Sequence, residues 1–259
     1  MTNNQISPQE KFTPAIVPFP SFSTVPSVVA FEFPREFGFL SLVVRYASQK
    51  DQAVLSYIQT FQSLVKERIA AMGIEILTTP WGGEGLYLYP PASLHCVLIY
   101  EEHHPRLSFA RVAEMDLSHH EWLVADLSQL RRFTIVPRWF FTFGDSLNES
   151  VATVAFSLQI YMEREVITRV NRSFKGTAKV YETPSKGVVR GATNIARFIS
   201  NKPCPSAIKR APEICGLFSD LNAMFEKPRE FTVDCLSFVK SDCWLANSKP
   251  IVRDYFLDS

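Results

Sequence analysis

The chain carries five histidines, and none follows His120. His95 stands in an alternating apolar run, LHCVLIY (Leu94 to Tyr100), with Val97 and Ile99 two and four residues on. Residues i and i+2 of a strand share a face, so this imidazole is a lone titratable group among apolar neighbours. It can act as a general acid or base if a cleft opens above it, and otherwise reads as a half-buried histidine satisfied by one hydrogen bond. The pairs His103–His104 and His119–His120 are each adjacent. Adjacent side chains point apart in a strand and splay by about 100° in a helix, so these are surface positions and no metal site is expected.

Arg190 and Arg197, with Lys186 upstream, bracket the segment GATNIARF (Gly191 to Phe198). They could form an anion site for phosphate, the alternative being solvated charges flanking a strand. Trp81, Tyr87, Tyr89, Trp139 and Phe141 offer surfaces on which a base could stack, although for Trp139 and Phe141 strand spacing favours the core. Gly82–Gly83–Glu84–Gly85 lacks the Lys-Ser/Thr that completes a phosphate-cradling loop, and it opens no helix, so it reads as a turn. The five cysteines are scattered and form no C-x-x-C pair. They suggest small hydrophobes in a reducing compartment rather than disulfides, a zinc knuckle or a nucleophile, and no cofactor is called for.

These residues must be positioned by elements that the pattern also announces. Gly38 to Tyr46 is short, apolar and β-branched, as a buried strand is. Val54, Ile58, Phe61, Val65, Ile69 and Met72 recur at spacings of four and three, which predicts a helix, with Asp51 to cap its start and Gly73 to end it. Ile74 to Thr78, Leu86 to Leu88 and Leu94 to Tyr100 follow as strands, and Ser118 with Glu121 suggests a capping box opening a helix through Leu130. Phe133 to Phe143 and Val151 to Gln159 flank the turn-forming Gly144 to Ser150 and predict an antiparallel hairpin. A helix from about Tyr161 to Phe174, a loop from Lys175 to Gly187, and a strand from Val188 to Ile199 come next. Pro212 opens a helix to about Glu226, Phe231 to Lys240 is a further strand, and Tyr255 to Leu257 can dock as a last one. Runs of strands interrupted by single helices indicate an α+β fold.

The bulk properties bound the rest. At 259 residues and 46% hydrophobic content the chain can bury one substantial core. Residues 1–27, rich in Pro, Ser, Thr and Asn, read as a flexible tail, and 28–259 as a single domain. Lys plus Arg (27) balance Asp plus Glu (26), which excludes a whole-molecule field drawing the protein onto nucleic acid or an anionic membrane. No stretch approaches the ~20 apolar residues that span a bilayer. An intracellular, cytoplasmic protein without a membrane partner is expected.

Three segments together resemble the two-histidine phosphoesterases, a superfamily that includes RNA 2′,3′-cyclic phosphodiesterases. YPPASLHCVLIY (Tyr89 to Tyr100) is similar to that family's first His-x-Thr/Ser strand, and GATNIARF to its second, usually Pro-His-x-Thr-Leu-x-Arg. EFTVDCLSFVKSD (Glu230 to Asp242) is similar to its closing strand. The resemblance implies a bilobal pair of antiparallel sheets flanked by helices, with a central cleft where a His and a hydroxyl from each lobe meet one phosphate. It also implies that the site is degenerate. His95 matches the first imidazole, but Val97 replaces the hydroxyl, Ala192 the second imidazole and Asn194 the second hydroxyl. Asn194 can still donate a hydrogen bond, whereas alanine cannot move a proton, a loss worth ~10²–10⁴-fold in rate. The expectation is a protein that binds a phosphorylated small molecule or an RNA end through Asn194, Arg197, Arg190, Tyr100 and Lys186. Two alternatives stand beside it. One is an active phosphodiesterase in which Tyr100 or Lys186 substitutes as the acid to His95, and the other is an interaction module whose cleft is filled by side chains.

Overall fold

The computed structural model describes residues 39–79, 84–101, 130–142, 155–173, 176–178, 180–183, 185–199, 210–225, 228–241 and 251–258. The expected tail, the four paired histidines, Trp81, and the helix proposed from Ser118 up to Gln129 lie outside them. The architecture is mixed α+β with two sheets. The first has five strands in the order β12-β11-β1-β4-β7, formed by Phe39–Arg45 (β1), His95–Glu101 (β4), Gly176–Ala178 (β7), Cys235–Ser241 (β11) and Ile251–Phe256 (β12). The second runs β10-β5-β6-β9-β3-β2, from Ile76–Leu77 (β2), Gly85–Leu88 (β3), Phe133–Thr142 (β5), Ala155–Glu163 (β6), Val188–Ile199 (β9) and Phe231–Val233 (β10). Tyr181–Glu182 (β8) adds to β9 at its start. Pairing is antiparallel throughout the named strands except between β2 and β3.

Three helices complete the described fold: α1 (Ala53–Ala71), α2 (Arg164–Ser173) and α3 (Ala211–Ala223). The apolar stripe of α1 is the expected one, since Val54, Ile58, Phe61, Val65 and Ile69 are all buried. Gly73 ends it with φ +76°, a conformation that costs glycine no Cβ clash. Asp51 does sit at the start, but it accepts from the Ala53 N–H at 2.9 Å as the residue before the N-cap, Gln52. Aromatic packing joins helices to the second sheet: Phe61 of α1 meets Phe140 of β5 edge-on at 5.2 Å, and Phe218 of α3 stacks on Phe156 of β6 at 4.5 Å.

Several expected boundaries move. The strand expected to end at Gln159 continues to Glu163, because Ile160 and Met162 keep the buried face of β6 going, and α2 therefore starts at Arg164 rather than Tyr161. The expected loop from Lys175 to Gly187 contains β7 and β8, which attach to different sheets. The single strand expected from Phe231 to Lys240 is two, β10 in the second sheet and β11 in the first. Asp234 is the crossing residue. Its backbone N–H donates to Gln49 Oε1 at 3.0 Å, its carbonyl accepts from Leu257 N–H, and its carboxylate accepts from Lys50 N–H. Gln49, 3% exposed, also donates to the carbonyls of Arg45 and Cys235, so one buried amide holds the point where the chain changes sheets. No described helix is long and apolar enough to cross a membrane.

Candidate functional site

The two strands carrying the candidate residues are β4 and β9, one from each sheet, and they pack against each other. The contact is close because Gly191 has no side chain. A Cβ there would overlap Cys96 Sγ, and it would also meet Met162 Cε at 3.7 Å. Beside it, the Tyr46 hydroxyl and the Thr193 hydroxyl are 2.6 Å apart and buried. Burial pushes the Cys96 thiol up to about 12, with a backbone hydrogen bond from Ala192 only partly opposing the shift. Burial likewise raises the Tyr46 phenol well above its ordinary range. Both groups are therefore neutral and unreactive at ordinary pH, which removes Cys96 as a nucleophile.

Alternation then fixes which residues face away from that contact. On β4 these are His95 and Val97, both half-buried, whereas Cys96 is fully buried. Ile99 does not share their face as its spacing suggested. The register with β1 shifts between Leu42 and Val43, so that Ile99 pairs with Leu42 and is fully buried in the core. His95 Nδ1 lies 2.6 Å from the Ser93 carbonyl oxygen. A carbonyl only accepts, so Nδ1 carries the proton, and in the neutral form of the ring the lone pair is on Nε2. Directly across the strand pair from His95 is Arg45, whose Nε donates to the Ala92 carbonyl at 2.8 Å.

On β9 the corresponding face carries Arg190, Ala192 and Asn194 in alternation, all half-buried. Across from them on β6 stand Tyr161, Gln159 and Ser157, all buried. The Ser157 hydroxyl donates to Asn194 Oδ1, which leaves the NH2 end of that amide as donor. A register shift between Phe156 and Ser157 makes Ile195 the extra residue on β9, and Arg197 pairs with Ala155. Gln62 of α1 donates to the Ile195 carbonyl at 2.8 Å and to the Tyr89 carbonyl at 2.8 Å, holding this irregularity in place. Arg197 is 4% exposed, and its Nε has no hydrogen-bond partner among the described residues.

The structure thus brings Asn194, Arg190 and Arg197 onto one strand and sets His95 on the strand packed against it. Tyr100 is on β4 between Ser41 and Thr177. Lys186 is exposed on the turn that precedes β9. Among the aromatics, Tyr87 and Tyr89 are core residues with rings 5.8 Å apart, and Trp139 is half-buried rather than core. The sequence reading missed Arg45 and, in the second sheet, Arg138, Gln159 and Tyr161. An alternation count of the hairpin strands finds the last three on one face, but the rows they form depend on a register the sequence does not show. No group of three or more His, Cys, Asp or Glu that could hold a metal occurs among the described residues. Comparison of the chain with protein-family models finds no matching family, and comparison with curated proteins finds no relative.

Proposed function

We propose that this chain is a degenerate protein of the two-histidine phosphoesterase type that binds a phosphorylated ligand, a nucleotide or an RNA end, in a cleft between its lobes on the side of β4 and β9 opposite their packed contact. One observation carries the reading. The two motif segments are strands of different sheets that pack against each other, with His95 and Val97 on one and Ala192 and Asn194 on the other turned from the shared contact. Ala192 stands where a second proton-transfer group would protonate a leaving oxygen while His95 acts as base. Binding groups remain: the Asn194 amide and the Arg190 and Arg197 guanidiniums can all donate to phosphate oxygens.

The test is turnover of 2′,3′-cyclic nucleotides together with thermal stability in their presence. The expected result is no hydrolysis above buffer and a raised melting temperature that Asn194→Ala diminishes. Hydrolysis that His95→Ala abolishes, with a bell-shaped pH profile, would instead establish the active phosphodiesterase. That second reading draws on the His95 tautomer, whose Nε2 lone pair is the one a general base needs. A melting temperature indifferent to phosphate and to every nucleotide would leave the filled interaction module.

A further inference from the structure

The face of the second sheet that carries Asn194 extends beyond β9, and its charge is one-sided. In β5, Arg138 pairs with Gln159 of β6, which in turn pairs with Ala192 of β9. These three lie in one row, with neighbouring strands ~5 Å apart. In the next row Tyr161 pairs with Arg190. The Tyr161 hydroxyl donates to Gln159 Oε1 at 2.7 Å, and the charges of Arg190 and Arg138 both act on it. Arg138 is only 9% exposed, yet its Nε and Nη1 have no hydrogen-bond partner among the described residues. A buried guanidinium without an acceptor is costly, on the order of 1–3 kcal/mol for each unsatisfied group, unless something else supplies the acceptor. The carboxylate on this face of the described strands is Glu163, exposed at the end of β6.

The backbone next to Arg138 is irregular as well. Trp139 is the extra residue of a bulge between Arg138 and Phe140, and it adopts φ 63°, a left-handed conformation unfavourable for a bulky side chain. Its indole N–H is buried without a hydrogen-bond partner among the described residues. Such outliers persist only where the surroundings over-determine them, and they gather at binding sites.

We propose that Arg138, with Arg190 and Gln159, forms the anchor for a terminal phosphate monoester, seated over the small side chain of Ala192. This rests on the reading of the inter-sheet site given above and narrows its ligand class. Two guanidiniums with no facing carboxylate in their rows match a dianion better than the single charge of a cyclic diester. Alanine at 192 leaves the room an imidazole would fill, and the half-buried Arg190, Ala192 and Asn194 leave the face accessible along β9. Arginine replaces histidine here in a binding sense only: it holds a phosphate and moves no proton.

The test uses the full chain with adenosine 5′-monophosphate, 2′,3′-cyclic adenosine monophosphate and adenosine, titrated at low salt. The monophosphate is expected to bind at least about tenfold tighter than the cyclic diester, and adenosine to leave the melting temperature unchanged. Arg138→Met should lose about tenfold or more of the monophosphate affinity, with Arg138→Lys intermediate. Arg190→Met gives an independent variant should Arg138→Met not fold. Equal affinity for the two nucleotides, or undiminished monophosphate binding by folded Arg138→Met, overturns the proposal. If the cyclic diester binds best and depends on His95 and Asn194 but not on Arg138, this inference falls while the parent reading stands. If monophosphate binding depends on Arg138 and is untouched by His95→Ala and Asn194→Ala, the anchor stands and the parent reading falls.

Discussion

Buried and half-buried polar side chains, more than the charged surface, decide the geometry at the scale of single residues. The Ser93 carbonyl helps to hold His95, the Ser157 hydroxyl helps to hold Asn194, and Gln62, which is 8% exposed, holds the bulge at Ile195. Gln62 is the most informative of these to change. Its amide nitrogen serves two carbonyls, so Gln62→Leu keeps the bulk of the α1 face but removes both hydrogen bonds, the Ile195 carbonyl retaining the one from the Tyr89 N–H. The expected cost is about 1–3 kcal/mol by urea denaturation. Because one of those carbonyls belongs to the residue after Asn194, a concomitant weakening of the proposed nucleotide binding is expected in the same variant. Unchanged stability would mean that water replaces the amide and that the bulge needs no such support.

Between elements, the decisive contact is the crossing of β4 and β9. It needs Gly191, since any Cβ there collides with Cys96 Sγ. Gly191→Ala is expected to destabilise by about 1–3 kcal/mol, the range for overpacking a filled core. Cys96→Ala in the same chain should recover part of that loss, because it removes the atom that is struck. A double variant no better than Gly191→Ala would show that the strain lies in the β9 backbone instead. This contact was half legible in the sequence. The alternation of LHCVLIY and the length of Val188 to Ile199 place both strands within a residue of where they are. That glycine 191 exists to admit a cysteine from 95 positions earlier is a tertiary fact with no local signature. The same holds for Arg138. As a residue in an apolar hairpin strand it looks like any charge at a strand face, and only the register with β6 and β9 shows that it shares a row with Ala192. The break at Asp234 escaped for a related reason. A strand that changes sheets keeps its β-propensity on both sides, and what marks the change is Gln49, far away in the chain.

Across the whole molecule, groups that burial keeps neutral occur in both sheets, and this makes a prediction about pH. Cys96 of β4 and Cys235 of β11 are both pushed up to about 12 from an ordinary 9.0, mainly by burial. Tyr46, after β1, and Tyr161 of β6 are raised above 10.0 for the same first reason. A raised pKa in the folded state means that the folded chain holds a proton the unfolded chain has already released. Below pH 9 both states are protonated at these groups, and their contribution to stability is fully present. As pH rises from about 9 towards 12, unfolded thiols and then phenols ionise first, and each such group lowers stability by about 1.4 kcal/mol per pH unit. The expected outcome is a urea midpoint that is level near pH 8 and falls steadily above pH 9, steepening once the phenols join. Since these groups are divided between sheets tied together through Gln49 and Asp234, the loss should appear as one cooperative transition seen equally by tryptophan fluorescence and by far-ultraviolet circular dichroism. Cys96→Ala should make the decline between pH 9 and 10 shallower, and Tyr46→Phe the decline above it. A midpoint unchanged to pH 11 would mean that solvent reaches these side chains and that the packed contact between the sheets is open in solution.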